Sequence, residues 1–318
     1  MAAWDHALKG AQSIPCRAIA VDGPVRAEAS ASATGSGSAS APPPAPALAL
    51  DPVPLHGEVP TDVWLALGPD SRLVAKDPRT TRETAFVGPA RVRPCVAHRE
   101  ESWIASGRFE SAIGAGETPG AEEWAVTPLG VARYMAAELH VDVREKDVAL
   151  ALGTGVAFLW LADDAHEAPA PRGSGDAGSG AATTSVDDDG WRRMTQGSLM
   201  LAQTGSHPPA DAARASVDRC LALTKDARDM AANLLAGLAA FDAGAAKDQL
   251  KTRRIARAAC AIAALRVEML PAGKPKAEMA VRLEESRGVR GLPVSPAGAA
   301  APGPSPVPVP VPREPATP

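Results

Sequence analysis

Between residues 63 and 160 the chain is divided into short runs of β-type residues, each followed by turn-forming residues such as glycine, proline or aspartate. The run 63–67, for example, ends at Gly68-Pro69-Asp70, and the run 72–76 ends at Asp77-Pro78. Short strands at this spacing, separated by turn residues, favour an all-β sandwich, roll or solenoid. The expected strands are residues 17–21, 25–26, 63–67, 72–76, 83–87, 90–93, 102–105, 123–126, 139–143, 148–152 and 156–160, with a last hairpin at 191–201.

Large aromatic residues inside these runs are the expected core anchors of the β-domain. Aromatic residues make up only 3% of the chain, so each buried ring supplies a large share of the apolar area. The anchors predicted from the sequence are Trp64, Trp103, Trp124, Trp160, Phe86 and Phe158. In the run 139–143, apolar and polar residues alternate, which predicts one buried face and one wet face.

The hydrophobic period changes after Pro208-Pro209, from that of strands to that of helices. Apolar and small residues from Ala213 to Phe241 recur at steps of three and four, which predicts a long amphipathic helix. Asp242-Ala243-Gly244 is expected to break this helix, and a second helix then ends at Pro271. A short connection between two helices favours an antiparallel hairpin. The predicted fold class is therefore α+β with segregated elements, a β-rich domain followed by a two-helix hairpin.

Low-complexity segments set the predicted domain boundaries. Stretches composed of alanine, serine, glycine and proline bury too little apolar surface to offset the entropy lost on ordering. The predicted organisation is an N-terminal segment (1–16), a β-domain (17–201) with disordered insertions at 29–47 and 162–190, a helical hairpin (209–271) and a disordered Pro-rich tail (272–318).

The four cysteines are widely spaced and include no C-x-x-C pair, so a disulfide scaffold or a zinc site is not expected. If the hairpin turn centres near Ala243, Cys260 lies level with Asp226, about six residues or about 9 Å along the axis from Cys220. This offset exceeds the reach of a disulfide, so both thiols are predicted to be free. The same geometry places Arg257 level with Asp229, where a surface ion pair is expected.

No catalytic, cofactor or metal site is predicted. The six histidines are isolated, and the serines form no G-x-S-x-G motif. Gly153-Thr154-Gly155 is interpreted as a turn, and the acidic pairs Glu100-Glu101 and Glu122-Glu123 as solvated strand ends. The acidic stretch 185–190 lacks the bidentate glutamate of a calcium loop and is interpreted as a surface loop.

The charge pattern limits the classes of partner. A net charge of −4 spread over both signs argues against nucleic-acid binding, which requires a strongly basic face. No apolar run is long enough for a membrane span, and the first residues contain no apolar core of a signal peptide. Basic residues concentrate on the second helix, where Lys247, Lys251 and Arg254 form a candidate face for an acidic partner.

Several short motifs resemble the FecR-like family. Val21-Asp-Gly-Pro-Val25 is similar to the opening strand-turn-strand of that family, and residues 124–130, Trp-Ala-Val-Thr-Pro-Leu-Gly, are similar to its central strand and Thr-Pro turn. Residues 148–160 and 194–198 resemble its later strands and glycine turn. The resemblance spans about 18–201 and leaves the helical hairpin outside the family. It implies a non-catalytic β-domain that binds a partner, in a family whose best-understood members relay a receptor signal from the periplasm.

The expected function is therefore a non-catalytic binding or adaptor role in the bacterial cell envelope, with an unknown protein or polysaccharide as partner. A link to signalling follows only from the resemblance, and the cytoplasm is the alternative location because no signal peptide is visible. Two other functions remain open: a structural scaffold that self-associates through the helical hairpin, and a carbohydrate-active enzyme, which would need two facing carboxylates.

Overall fold

The computed structural model describes residues 16–28, 57–59, 62–76, 83–96, 101–112, 122–168, 185–186, 190–205, 209–236 and 243–284. The predicted N-terminal segment, apart from Cys16, and the insertion 29–47 lie outside these residues, as does most of the insertion 162–190. Strands occupy the described chain up to residue 204, and helices follow from residue 209. This order confirms the α+β class with segregated elements.

The strands and helices have the following bounds. The strands are β1 (Cys16–Asp22), β2 (Val25–Ala27), β3 (Glu58–Val59), β4 (Leu65–Leu67), β5 (Arg72–Lys76), β6 (Glu83–Arg93), β7 (Glu101–Ala112), β8 (Glu123–Val126), β9 (Gly130–Val143), β10 (Asp147–Leu161), β11 (Ala165–Glu167), β12 (Ser185–Val186), β13 (Arg192–Met194) and β14 (Leu199–Thr204). The helices are α1 (Pro209–Ala236), α2 (Ala243–Met269) and α3 (Lys274–Glu284).

All described strands belong to one hydrogen-bonded sheet. Its main path runs β11-β14-β10-β9-β8-β7-β6-β5-β1-β3, and β2, β4, β12 and β13 pair beside this path. The pair β7–β8 is parallel, whereas the neighbouring pairs β6–β7 and β8–β9 are antiparallel. A tight turn is enough to join antiparallel neighbours, which explains the density of glycine and proline in this part of the sequence.

Two pairs of predicted strands are single long strands. Gly88-Pro89, which separates the predicted strands 83–87 and 90–93, lies inside β6, where the pairing with β7 shifts register between Val87 and Arg91. A Cβ atom at Gly88 would lie 2.0 Å from the carbonyl oxygen of Gly68, so only glycine fits this approach. Gly153-Thr154-Gly155, also interpreted as a turn, lies inside β10 at a register shift against β9. Both glycine motifs therefore mark irregularities within strands, because a bulge and a turn need the same backbone freedom.

The sheet buries two separate apolar cores. One core lies within the β-part and combines residues from strands far apart in the sheet, such as Leu73 of β5 and Met200 of β14. The predicted alternation in residues 139–143 contributes to it, since Leu139 and Val141 are buried while His140 is exposed. The second core lies between the other face of the sheet and the helices.

The helical part contains one helix more than predicted. Helix α3 lies within residues 272–318, which the sequence composition predicts to be a disordered tail, and it buries Met279 and Leu283 in the second core. The remainder of the predicted tail, from residue 285, lies outside the described residues. Helices α1 and α2 pack against each other in opposite directions, as the contacts Arg266 to Ser216 and Cys260 to Thr224 indicate.

The prediction of free thiols is wrong. All four cysteines form disulfides in the structure, Cys16 with Cys95 and Cys220 with Cys260. The Cα atoms of Cys220 and Cys260 are 4.7 Å apart, so the two residues lie level on α1 and α2. The predicted offset placed the turn at Ala243, but α2 already begins there and α1 ends at Ala236. The midpoint between the end of α1 and the start of α2 therefore lies several residues before Ala243. With this midpoint, Cys220 and Cys260 lie at the same level of the two helices.

Candidate functional site

The helices cover a layer of tryptophans on the sheet. This tryptophan layer consists of Trp64, Trp103, Trp124, Trp160 and Trp191, all buried in the second core. The rings of Trp64 and Trp103 have centroids 6.4 Å apart, and those of Trp124 and Trp191 meet edge to face at 5.9 Å. Four of these residues are predicted anchors, whereas the sequence predicts Trp191 only as part of the last hairpin. Of the predicted phenylalanines, Phe86 is buried in the first core and Phe158 is only partly buried.

Arginine side chains stack on these rings. The guanidinium carbon of Arg93 lies 4.8 Å from the Trp64 ring centroid and 5.0 Å from that of Trp103. Arg257, from helix α2, lies 4.2 Å above the ring of Trp124. A guanidinium held over an indole face is stabilised by the ring quadrupole, more strongly when water is excluded. The rings thus bind cationic side chains from both the sheet and the helices.

Three glutamates complete the layer by accepting hydrogen bonds from the indoles and arginines. Trp64 and Arg93 donate to Glu268 of α2. Trp103 Nε1 donates to Glu101 at 3.1 Å, and Arg257 Nε donates to the other oxygen of Glu101 at 2.9 Å.

The third carboxylate, Glu122, is shared by the sheet and α2. It accepts from Trp124 Nε1 at 2.9 Å and from Arg133 at 3.1 Å, and Arg254 lies 3.7 Å away. Every carboxylate of the layer is thus paired with an arginine and an indole N–H. This pattern docks the helices on the sheet.

These contacts correct several predictions from the sequence. Glu101 and Glu123 are buried, not solvated, because Glu101 faces α2 and Glu123 accepts a hydrogen bond from Tyr134 at 3.1 Å. Arg257 pairs with Glu101 in place of the predicted Asp229. Sequence spacing could not reveal the contact between Glu101 and Arg257, since these residues are 156 positions apart.

The predicted basic partner face is only partly on the surface. Lys247 is exposed and Lys251 is half-buried, but Arg254 faces Glu122 of the tryptophan layer. The three residues do not form one exposed cationic surface, because α2 turns Arg254 towards the sheet.

A cleft opens at the edge of the tryptophan layer, where the sheet meets the helices. We call this the junction cleft; its cavity volume is about 220 Å³. Its lining includes the turn between β10 and β11, one side of α1 and one side of α2. The lining residues are Trp160, Ala162, Asp163, Asp164, Ala215, Ser216, Arg219, Ala259, Ile262 and Arg266.

Arg266 connects the elements that line the junction cleft through its hydrogen bonds. Its side chain is 8% exposed and donates to Pro128 O at 2.7 Å, Ala212 O at 3.3 Å, Ser216 Oγ at 2.8 Å and Asp164 Oδ1 at 2.7 Å. One guanidinium therefore ties the β8–β9 turn, the β10–β11 turn and helix α1 to helix α2. Nothing in the sequence indicates the role of this arginine, because its four acceptors, two backbone carbonyls and two side-chain oxygens, are brought near only by the fold.

The two aspartates of the β10–β11 turn differ in their surroundings. Asp163 is exposed at the mouth of the junction cleft and lies 3.5 Å from the exposed Arg219. The side chain of Asp164 is 14% exposed, and its second oxygen, Oδ2, is buried without a hydrogen-bond partner. A buried carboxylate oxygen is costly to leave unsatisfied, which marks Asp164 as the group with unused acceptor capacity.

A second depression, of about 210 Å³, lies on the outer surface of β7, β9, β10 and β14. It is shallow and lined by exposed polar residues such as Arg108 and His140, beside the exposed Leu199. It contains no buried polar group with unused capacity among those described. The junction cleft is therefore the stronger candidate for a binding site.

Within the ranges that the structure describes, no three histidine, cysteine or acidic side chains are grouped so that they could hold a metal ion. None of the helices there is long and apolar enough to cross a membrane.

Comparison with known proteins identified no relative. No protein-family model, no curated protein and no solved structure matches this chain.

Proposed function

We propose that the chain is a non-catalytic binding or adaptor protein of the bacterial cell envelope, and that its ligand or partner binds in the junction cleft. The observation that carries this proposal is the cleft itself. It combines an apolar floor with a few convergent polar groups, which is the usual composition of a binding pocket. Its walls come from both the sheet and the helices, so an occupant would contact both parts of the chain.

The disulfides support a location outside the cytoplasm. Disulfides persist in oxidising compartments such as the periplasm and are rare where thioredoxin and glutathione keep thiols reduced. Both bonds join distant parts of the chain, with sequence separations of 79 and 40. In the cytoplasm all four buried cysteines would be reduced, and the chain would lose both cross-links.

The pairing of the carboxylates in the tryptophan layer favours binding over catalysis. A general acid or base needs a carboxyl group that can exchange a proton with a substrate. Glu101 and Glu122 each already accept hydrogen bonds from an arginine and an indole. Such groups fix the helices on the sheet, and the proposal assigns them no chemical step.

The β-part is proposed to fold as a sandwich or roll of the FecR-like kind, followed by an antiparallel helical hairpin. The shared core of β5 and β14, far apart along the sheet, supports such a closed arrangement. The alternative of a scaffold that self-associates through the helical seam is less favoured. Ala213, Val217 and Cys220 of that seam are already buried against the same chain.

Site-specific crosslinking in cells tests this proposal. A photoreactive amino acid would replace Arg219 at the mouth of the cleft, and a matched control would replace Val281, which is 68% exposed on α3. We expect a discrete crosslinked product with an envelope component from position 219 and none from position 281.

Alkylation of thiols in the same cells provides the second readout. We expect all four cysteines to resist alkylation until the protein is reduced. Free thiols in the cell, or identical crosslinking from both positions, would contradict the proposal.

A further inference from the structure

The disulfide between Cys220 and Cys260 is fully enclosed in the folded chain. Both cysteines are 0% exposed and lie in the second core, together with residues of the sheet such as Trp124 and residues of α3 such as Met279. The hydroxyl of Thr224 lies 3.5 Å from Cys260 Sγ and donates to it, because a disulfide sulfur carries no hydrogen. A reagent in solution therefore cannot reach these sulfur atoms while the helices cover the sheet.

A disulfide forms by exchange with a second disulfide, and this reaction requires contact between sulfur atoms. One cysteine thiolate attacks the disulfide of the oxidant and releases one oxidant thiolate, which leaves a mixed disulfide. The second cysteine thiolate then attacks the chain's own sulfur in that mixed disulfide, closes the bond and releases the second oxidant thiolate. The chain loses two electrons and two protons, and the oxidant's disulfide is reduced to two thiols. Both steps need space around the sulfur atoms, which the docked helices do not leave.

We infer that a disulfide donor acts on helices α1 and α2 before they dock on the sheet, and that docking then protects the Cys220–Cys260 bond from reduction. The partner is an oxidant that works by dithiol–disulfide exchange. The form of the chain that it meets is the undocked pair of helices. This step precedes any binding in the junction cleft and uses none of its lining residues.

The two helices can bring their cysteines together without the sheet. Helices α1 and α2 follow one another in the chain, and the two cysteines have a sequence separation of only 40. A small separate core, formed by Ala227 and Ala256 with Leu223 packed against it, contains residues of these two helices alone. The helices therefore also pack on each other at positions to which the sheet does not contribute.

The order of the cysteines along the chain suits direct oxidation. Each cysteine is bonded to the next cysteine in the sequence, Cys16 to Cys95 and Cys220 to Cys260. Neither bond joins the strands to the helices, so the helical bond can close whether or not the β-domain has been oxidised. An oxidant closes each pair as soon as its second cysteine is available, and no isomerase is needed to rearrange the bonds.

Ion pairs help to hold α2 on the sheet, and they influence how often the bond is uncovered. Arg257 donates to the buried Glu101 at 2.9 Å and lies 4.2 Å above the ring of Trp124. Arg254 lies 3.7 Å from Glu122. If reduction passes through an undocked state, its rate is proportional to the population of that state. Weakening either ion pair should then accelerate reduction of a disulfide that takes no part in it.

Reduction of the native, oxidised full chain by dithiothreitol tests the inference. Samples are alkylated at intervals, and mass spectrometry measures the fraction of the Cys220–Cys260 bond that remains. We expect the bond to open at least about a hundredfold more slowly in the native chain than in the chain unfolded in urea. Equal rates in the two conditions would overturn the inference.

Two variants and one control show whether undocking limits the reaction. Arg257→Gln should accelerate reduction by at least about tenfold, and Arg254→Gln, at the more exposed pair, by less. Arg254→Gln keeps the test valid if Arg257→Gln prevents folding. Arg108→Gln is the matched control, because it also removes a guanidinium beside a carboxylate, but on the outer surface of the sheet.

The control should leave the rate unchanged. An unchanged rate in whichever of the two α2 variants folds, or the same acceleration by Arg108→Gln, would overturn the inference, because the bond would then be reached without undocking.

Oxidation of the reduced chain provides the second readout. The chain is unfolded, reduced and diluted from denaturant, with oxidised glutathione either present from the start or added later. Tryptophan fluorescence shows whether the helices have docked in the delayed sample. If they have docked, we expect Cys220–Cys260 to form at least about tenfold more slowly there, and equal rates would overturn the inference. If they have not docked, docking itself requires the bond, which also places oxidation first.

Discussion

The disulfide between Cys220 and Cys260 is expected to contribute a large part of the stability of the helical part. The bond closes a loop with a sequence separation of 40, between two side chains that are fully buried. In the chain-entropy model, closing a loop of this size stabilises the folded state by about 4 kcal/mol at 25 °C. The double variant Cys220→Ala/Cys260→Ala should lose about this amount, and the loss of two buried sulfur atoms adds to it.

Urea unfolding followed by tryptophan fluorescence measures this loss, because α1 and α2 cover the tryptophan layer. The matched control is Cys16→Ala/Cys95→Ala, whose separation of 79 gives about 4.5 kcal/mol in the same model. The two variants should therefore differ by less than about 1 kcal/mol, although they affect different parts of the fold. A loss below about 1 kcal/mol in the helical variant, or a free thiol at Cys220 in the native oxidised protein, would refute the pairing of α1 with α2 described above.

Three further predictions concern the layer and the insertion. Trp124→Ala should cost about 3–5 kcal/mol in urea unfolding, because the ring is fully buried; a cost under about 1 kcal/mol would contradict its core position. Arg257→Met should cost about 3–5 kcal/mol by leaving the buried Glu101 without its guanidinium, and adding Glu101→Leu should recover part of that loss; strict additivity in the double-mutant cycle would count against the pair. Deleting residues 29–47 should shift the melting temperature by no more than a few degrees, about 1 kcal/mol, in calorimetry; a larger drop would show that this segment stabilises the β-domain.

Local patterns in the sequence were sufficient for the fold class and for many of the strands. Residues 72–76 and 123–126 coincide with β5 and β8, because both are short, continuous β-type runs. The change of period at residue 209 coincides with the start of α1. The position of a short strand and the start of a helix depend mainly on residues that are neighbours in the sequence. Local propensity and periodicity therefore predict them.

Glycine and proline were misleading where the chain stays extended through a bulge. Gly88 and Gly153 were interpreted as turn residues, yet both lie within long strands. A glycine supplies the same backbone freedom to a turn and to an irregular strand, so its position alone does not separate the two. The sequence did not predict helix α3, because its few apolar residues lie in a segment dominated by charged residues and alanine.

The site itself was decided by the tertiary structure. The sequence marked most of the tryptophans as core residues, because large aromatic side chains are buried almost regardless of the fold. It could not show that Arg257 reaches Glu101, that Arg266 reaches Asp164, or that Cys220 bonds to Cys260. Each of these contacts depends on the rotation and level of α2 against α1 and the sheet, and a shift of one residue turns a helical side chain by about 100°. The sequence alone therefore determined which large aromatic residues are buried. Only the packing of the helices on the sheet determined which charged side chains meet in the tryptophan layer and in the junction cleft.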